Sequence, residues 1–275
     1  MRVAIIGCGY VGSAVAKLWH ERGIKVTVTT TTPEKQEQLQ AIASQVVVLA
    51  GANLTALQQL VAQQDVIVLC AGAKQRTQEA YRQAYLTTAQ NLVTAIQQTP
   101  TVKQLIYTSS YGILGDQQGE TIDETAIPQP NSEYSEILNQ TEQVILSVPE
   151  STAKTCILRL SGIYGKNREL IKIFGKISGT TRPGAGTEYT NWVHLDDIVG
   201  AIDFAVQQQL QGIYHLASDR IYTTKEFFSR LFATHNLPDI TWDSSQPSTR
   251  AYNMKLSNQK IKSAGYQFLY PDIEF

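Results

Sequence analysis

An apolar run, Val3–Ile6, leads straight into Gly7-Cys8-Gly9-Tyr10-Val11-Gly12, and a helical periodicity takes over at once. Val11, Ala14, Val15, Leu18 and Trp19 then fall on one face of a 3.6-residue helix. A G-x-G-x-x-G between strand and helix asks for a tight turn at Gly7 and a close backbone approach to an anion at Gly9. Gly12 then lets the helix pack against the strand. The helix opens with unpaired N–H groups and a partial positive charge, the environment that a pyrophosphate occupies. Gly7, Gly9, Tyr10, Val11 and Gly12 are therefore the first candidate cofactor-binding residues. The competing reading is that the glycines only make a tight turn.

The same alternation continues for about 160 residues. Val26–Val28, Val46–Leu49, Val66–Leu69, Leu105–Tyr107 and Ile157–Leu160 are short and rich in branched residues, as strands covered on both faces are. Helical stretches separate them, the longest from Arg76 to Gln98. Strands alternating with helices give an α/β fold, a doubly wound parallel sheet of the Rossmann kind with right-handed crossovers. Beyond Leu160 the pattern loosens. A Gly/Pro-bearing stretch covers Gly175–Gly186, a helix starts at Asp196, a strand follows at Ile213–Leu216 and another helix at Thr223. We expect a dinucleotide-binding domain over 1–160, with segments about 190–217 returning to it, and a smaller C-terminal substrate lobe over 161–275.

Composition narrows the class of partner. Twenty-three basic against twenty-four acidic side chains leave a net charge of −1, so no global basic field draws the 275-residue chain to nucleic acid. The longest apolar or glycine run, Val66–Ala73, is about eight residues, short of the ~20 that span a bilayer. The N-terminal run meets glycines after one arginine, unlike a signal peptide. Cys8, Cys70 and Cys156 sit in apolar or glycine-rich segments without C-x-x-C spacing, which reads as reduced thiols in a cytoplasmic protein. The four histidines lack metal-ligand spacing. A small-molecule substrate remains.

An acid at the end of the second strand reads the ribose 2′-hydroxyl of NAD. Here that strand ends in Thr29-Thr30-Thr31-Thr32-Pro33-Glu34-Lys35, with no acid. Hydroxyls of Thr30 and Thr31 can donate to a 2′-phosphate, and Lys35 opens the next helix within reach of one, a lean toward NADP over NAD. Thr32 and Pro33 also suit an N-cap and the first helical position. After the fourth strand, Ala71 and Gly72 are small enough for the chain to pass close to an adenosine. Asn53 suits either adenine recognition or a helix cap.

The fifth strand ends in Thr108-Ser109-Ser110-Tyr111-Gly112, and 24 residues after Ser110, Ser132-Glu133-Tyr134-Ser135 opens a helix. With the glycine turn, these segments resemble the extended short-chain dehydrogenase/reductase superfamily, in its NAD-dependent epimerase/dehydratase branch. Further segments are similar to that family in the same order: Arg159-Leu160-Ser161-Gly162-Ile163-Tyr164-Gly165, Trp192-Val193-His194-Leu195-Asp196-Asp197, Tyr214-His215-Leu216-Ala217-Ser218 and Ala264-Gly265-Tyr266. The resemblance implies that Ser110 polarises a substrate oxygen and Tyr134 exchanges its proton. It also implies a lysine four residues after the tyrosine, where this chain has Leu138. A tyrosine titrates near ~10, so holding one ionised at neutral pH costs about 4 kcal/mol without help. Leucine gives none, and Lys103 and Lys154 are not placed to substitute.

Two functions follow from the sequence. One is an NAD(P)-binding oxidoreductase or epimerase/dehydratase-like enzyme that transfers hydride at a carbinol of a small molecule, with nucleotide-sugars among the candidates. The other is a dinucleotide-binding regulatory or interaction protein without turnover, motivated by Leu138. On the substrate side, Lys166, Arg168, Lys172, Lys176 and Arg182 offer either a diphosphate site or a solvated basic face, and Tyr164 and Trp192 are candidates to line a pocket. Both Ser110 and Tyr134 have structural alternatives, as a strand-end hydroxyl and a packing residue. His194 reads as structural and Asp196 as an N-cap.

Overall fold

The computed structural model describes residues 1–99 and 101–275. Seven strands form the main sheet: β1 (Arg2–Ile6), β2 (Lys25–Thr30), β3 (Gln45–Val48), β4 (Val66–Leu69), β5 (Gln104–Ser110), β6 (Lys154–Leu160) and β7 (Gly212–Leu216). Their spatial order is β7-β6-β5-β4-β1-β2-β3. Pairs β1–β2, β1–β4, β2–β3 and β4–β5 are parallel, with Ile5 opposite both Val28 and Val68. The chain winds outward from β1 in one direction and then restarts at β4 in the other. The topological switch point therefore lies between β1 and β4, and the crevice at their carboxyl ends is where such sheets take ligands.

The chain divides into two compact units. The first comprises Met1–Ser110, Ser132–Arg159 and Val199–Tyr214. Its strands bury both faces, as their unbroken apolar runs require: Val3, Ala4, Ile5, Ile67, Val68, Leu69, Leu105 and Ile106 are wholly inaccessible. Helix α1 (Tyr10–Glu21) presents Val15, Ala16 and Trp19 to this core. The buried Trp19 indole donates to Asp203 at 2.8 Å, and Arg22 grips the same carboxylate at 2.6 Å, which ties the end of α1 to a later helix. Short α2 (Gln36–Gln40) follows β2, and α3 (Leu54–Val61) precedes β4.

The stretch expected as one helix from Arg76 to Gln98 is instead α4 (Gln78–Tyr81), a π turn over Arg82–Thr87 and α5 (Thr88–Gln97). The Thr88 hydroxyl donates to Gln83 O five residues back (2.9 Å) at this widened turn. The loop after β3 packs directly on it. A Cβ on Gly51 would lie 1.9 Å from Thr88 Oγ1, and Asn91 donates to Gly51 O at 3.0 Å. Helix α6 (Glu133–Leu146) starts from a reciprocal capping box between Ser132 and Ser135.

The second unit comprises Tyr111–Asn131, Leu160–Ile198 and His215–Phe275. It holds α7 (Leu170–Phe174), the start of α8 (Leu195–Gln207), α9 (Thr224–Thr234) and α10 (Gln259–Ser263). Two-residue and three-residue strand pairs lace it together, among them Trp192–His194 beside Gly162–Tyr164 and Thr181–Pro183 beside Thr241–Asp243. The strand Thr181–Pro183 falls within the Gly/Pro-bearing stretch Gly175–Gly186. Its core is aromatic. Trp192 stacks on Phe227 with ring planes 7° apart, and Phe174, Phe228, Phe232 and Phe275 surround them. Among the described residues no helix is long and apolar enough to cross a membrane.

Candidate functional site

The switch point is built from the glycine turn, the end of β2 and the loop after β4, all in the first unit. Gly7 has φ +90°, and a Cβ there would lie 2.6 Å from Ala71 Cα, so only glycine fits between the ends of β1 and β4. Its amide donates to Thr29 Oγ1 (3.0 Å) while Cys8 N donates to Thr29 O (2.9 Å). The first of the four threonines thus anchors the turn. A Cβ on Gly12 would meet Gly7 O at 2.5 Å, the close helix–strand packing the motif requires. Gly9 differs from both. It is exposed, it occupies the N-cap of α1, and a Cβ there would meet nothing within 4 Å.

That open position sits where an anion would have to approach. No side chain caps α1, and its first turn (Tyr10, Val11, Gly12) carries no acid. A helix start left without a side-chain cap or a carboxylate keeps its partial positive charge for a ligand. The residues therefore fit a dinucleotide diphosphate: space above Gly9, amides below it. Burial pushes the Cys8 thiol up to about 12, with the Lys35 ammonium opposing, so Cys8 stays a neutral thiol in the turn.

At the end of β2, Thr30 is buried and its Oγ1 accepts from Thr32 N (3.1 Å), whereas Thr31 is exposed. Thr32 occupies the N-cap of a short 3₁₀ turn, Pro33–Lys35, but its side chain makes no capping bond. Its Oγ1 accepts instead from Lys74 Nζ at 2.7 Å, and Lys74 also reaches Thr31 O at 3.4 Å. Lys74 belongs to the loop after β4 and went unnoticed in the sequence, where its only signal is a cation just beyond Ala71-Gly72-Ala73. Within that loop, Gly72 is exposed, and a Cβ there would meet only Tyr85 Oη at 3.9 Å. Asn53 caps α3, its Oδ1 accepting from Ala56 N at 3.0 Å.

Thr108 and Ser110 share one side of β5, and Ser109 points to the other. Thr108 spends its hydroxyl on Leu69 O (3.3 Å), Ser109 is buried, and Ser110 is half-buried at the strand end. Tyr134 is the second residue of α6 and half-buried. Its phenol donates to Arg76 O (3.0 Å), the Arg76 guanidinium carbon lies 5.6 Å from its ring centre, and Tyr81 meets it edge-on at 4.7 Å. Tyr81 in turn packs against Tyr85 at 5.2 Å. Leu138 and Glu142 follow Tyr134 at helical spacing on α6. Glu142 is fully buried and takes a two-pronged ion pair from Arg159 of β6 (2.8 and 3.1 Å). Arg159, noted above only as the start of a motif, is thus the partner of a buried carboxylate. Neither Arg76 nor Glu142 was singled out from the sequence, because both contacts join distant segments.

In the second unit the structure places several of the residues read from the sequence and corrects one. Tyr164, 2% exposed, belongs to the aromatic core, and the half-buried Trp192 packs against it. Asp196 is not the cap of α8. His194 does that work, its Nδ1 accepting from Asp196 N (3.2 Å) while its ring packs against Tyr270, centroids 3.7 Å apart and planes tilted by 34°. Asp197 holds the chain end, accepting from the amides of Leu269 (2.6 Å) and Tyr270 (3.0 Å). Lys166, Arg168, Lys172, Lys176 and Arg182 are all exposed; Arg168 donates to Ile163 O and Lys172 pairs with Glu169.

A doubly wound sheet with an anion-ready glycine turn at its switch point defines a nucleotide-binding α/β protein of the Rossmann type. The chain belongs to the NAD dependent epimerase/dehydratase family, whose model matches residues 3–217. It is similar to Protein YeeZ of Escherichia coli, 27% identical over 274 residues that cover 98% of this chain and 97% of that one. Among solved structures, the UDP-glucose 4-epimerase of Thermus thermophilus in complex with NAD has a TM-score of 0.79 at 20% identity, covering 100% of this chain and 95% of that one. The UDP-glucuronic acid 4-epimerase of Bacillus cereus in complex with NAD has a TM-score of 0.77 at 17% identity, with 96% and 92% covered. These structures share the fold.

Proposed function

We propose that the chain is an NAD(P)-binding epimerase- or dehydratase-like oxidoreductase acting at a carbinol of a small molecule, with residues 161–275 supplying substrate contacts. The observation that carries this reading is the exposed, unobstructed Gly9 over an acid-free helix start. Gly7, Gly9, Tyr10, Val11 and Gly12 would hold the diphosphate, with Ala71 and Gly72 alongside the adenosine half. The acid-free end of β2, with exposed Thr31 and Lys35, favours NADP over NAD, while Thr30, buried and bonded to Thr32, supports that end of the strand. Nucleotide-sugars are the substrate class to test first, because the similar solved epimerases are named for UDP-sugars. Free thiols at Cys8, Cys70 and Cys156 suit a reducing compartment, the cytoplasm.

When bound, the nicotinamide supplies the hydride acceptor or donor. Ser110, half-exposed at the end of β5, donates to the substrate oxygen and orients it. Tyr134 takes or returns the proton of that oxygen, for which its phenol must leave Arg76 O. With Leu138 in place of a lysine no ammonium assists at that position, so turnover is slow. A second reading, a dinucleotide-binding protein without turnover, is favoured by Leu138 together with the Tyr134–Arg76 bond. UDP-sugars are added to protein loaded with oxidised cofactor, and nicotinamide absorbance is followed. The enzyme reading expects a signal that Tyr134→Phe abolishes and Leu138→Lys increases. No signal from either wild type or Leu138→Lys, with cofactor bound, supports the second reading instead.

A further inference from the structure

We infer that Lys74, reaching across from the loop after β4, is the residue that makes this chain prefer a 2′-phosphorylated dinucleotide. This rests on the dinucleotide-binding reading above and adds its specificity determinant. The geometry is local to the first unit. Lys74 Nζ is exposed and carries three N–H donors, of which one goes to Thr32 Oγ1 at 2.7 Å and one more weakly to Thr31 O at 3.4 Å. One donor is left for a ligand. Because Thr32 Oγ1 accepts from Lys74, its own O–H is left to donate as a second donor. Both converge on the end of β2, where an NAD-specific chain of this fold has a carboxylate to accept from the ribose hydroxyls.

Here the chemistry is reversed: an ammonium and a hydroxyl, both donors, suit a dianionic phosphate. Among the described residues no carboxylate lies within ion-pair distance of Lys74, including Glu34 of the adjoining 3₁₀ turn, so its charge is not neutralised internally. Lys35, the last residue of the same 3₁₀ turn, adds a second positive charge to that segment. It acts on the Cys8 thiol and so lies within electrostatic reach of the glycine turn. The arrangement differs from a lysine on β2 itself. Lys74 ties the β2 end to the β4 loop, so the two segments flanking the switch point are held by the group that would read the phosphate.

The test is equilibrium titration of the purified chain with NADPH and with NADH, on wild type, Lys74→Met and Lys74→Arg. Wild type is expected to bind NADPH at least about tenfold more tightly, one lost charge-assisted contact being worth ~1.4 kcal/mol. Lys74→Met should lose most of that preference while its NADH affinity stays within about twofold, and Lys74→Arg should keep much of it. The wild-type preference should shrink as salt is raised. Tighter NADH binding by wild type, or an unchanged NADPH/NADH ratio in Lys74→Met, overturns the inference while leaving dinucleotide binding intact. Failure of wild type to bind either nucleotide overturns the dinucleotide reading and this inference with it.

Discussion

Gly9→Ala separates ligand binding from folding. The backbone at Gly9 has φ −91° and ψ −147°, and a Cβ there meets nothing within 4 Å, so alanine enters without a clash. The structural cost is confined to the N-cap preference, where alanine is poorer than glycine by about 0.5–1 kcal/mol. That corresponds to a shift of only a few degrees in melting temperature. The methyl, however, fills the space through which a phosphate oxygen must come to ~2.9 Å from the first-turn amides. Losing one or two hydrogen bonds to a charged group, at about 1.5–3 kcal/mol each, weakens binding by roughly tenfold to ten-thousandfold. Nucleotide fluorescence titration alongside thermal melts reads both quantities. Gly12→Ala is the contrast: its Cβ would lie 2.5 Å from Gly7 O, so about 1–3 kcal/mol of stability should go. A Gly9→Ala protein that binds nucleotide as wild type does would refute the cradle.

Three further outcomes follow from the same physical chemistry. Glu142→Gln strands the Arg159 charge in the core and should cost about 3–5 kcal/mol, whereas replacing both partners with apolar residues should recover much of it; a melt of Glu142→Gln that superposes on wild type contradicts the pairing. The Arg2 side chain, and then its amide, hydrogen-bond Asp65 and hold its carboxyl below the ordinary range. Its contribution is therefore present above the ordinary carboxylate pKa and is lost as pH falls through the lowered value, so Asp65→Asn should flatten that part of an acid-stability curve. Asp197→Ala removes the acceptor for the Leu269 and Tyr270 amides, and hydrogen exchange at those two amides should accelerate.

What the sequence revealed was local. The run Val3–Ile6, the glycine turn and the amphipathic face from Val11 to Trp19 each carry their signal within a dozen residues. The same holds for Asn53, whose two readings the structure resolves as a cap. What the sequence left dark was long-range or context-bound. Lys74 meets Thr32 across 42 positions and Arg76 meets Tyr134 across 58, and no period in either segment announces the pairing. The packing of Trp192 and Tyr164 was equally hidden, because an aromatic side chain has the same letter in a core as in a cleft. His194 displaced Asp196 as the cap because the ring nitrogen of the preceding strand reaches the helix first. The strand through Arg182 was hidden by the glycines that border it and by Pro183, its own last residue.

The most direct test of the account is a crystal structure of the chain grown with NADPH. It should show the diphosphate against the amides of Tyr10, Val11 and Gly12, with the chain of Gly9 passing beneath. A nucleotide bound elsewhere, or those amides turned to protein acceptors in its presence, would contradict it.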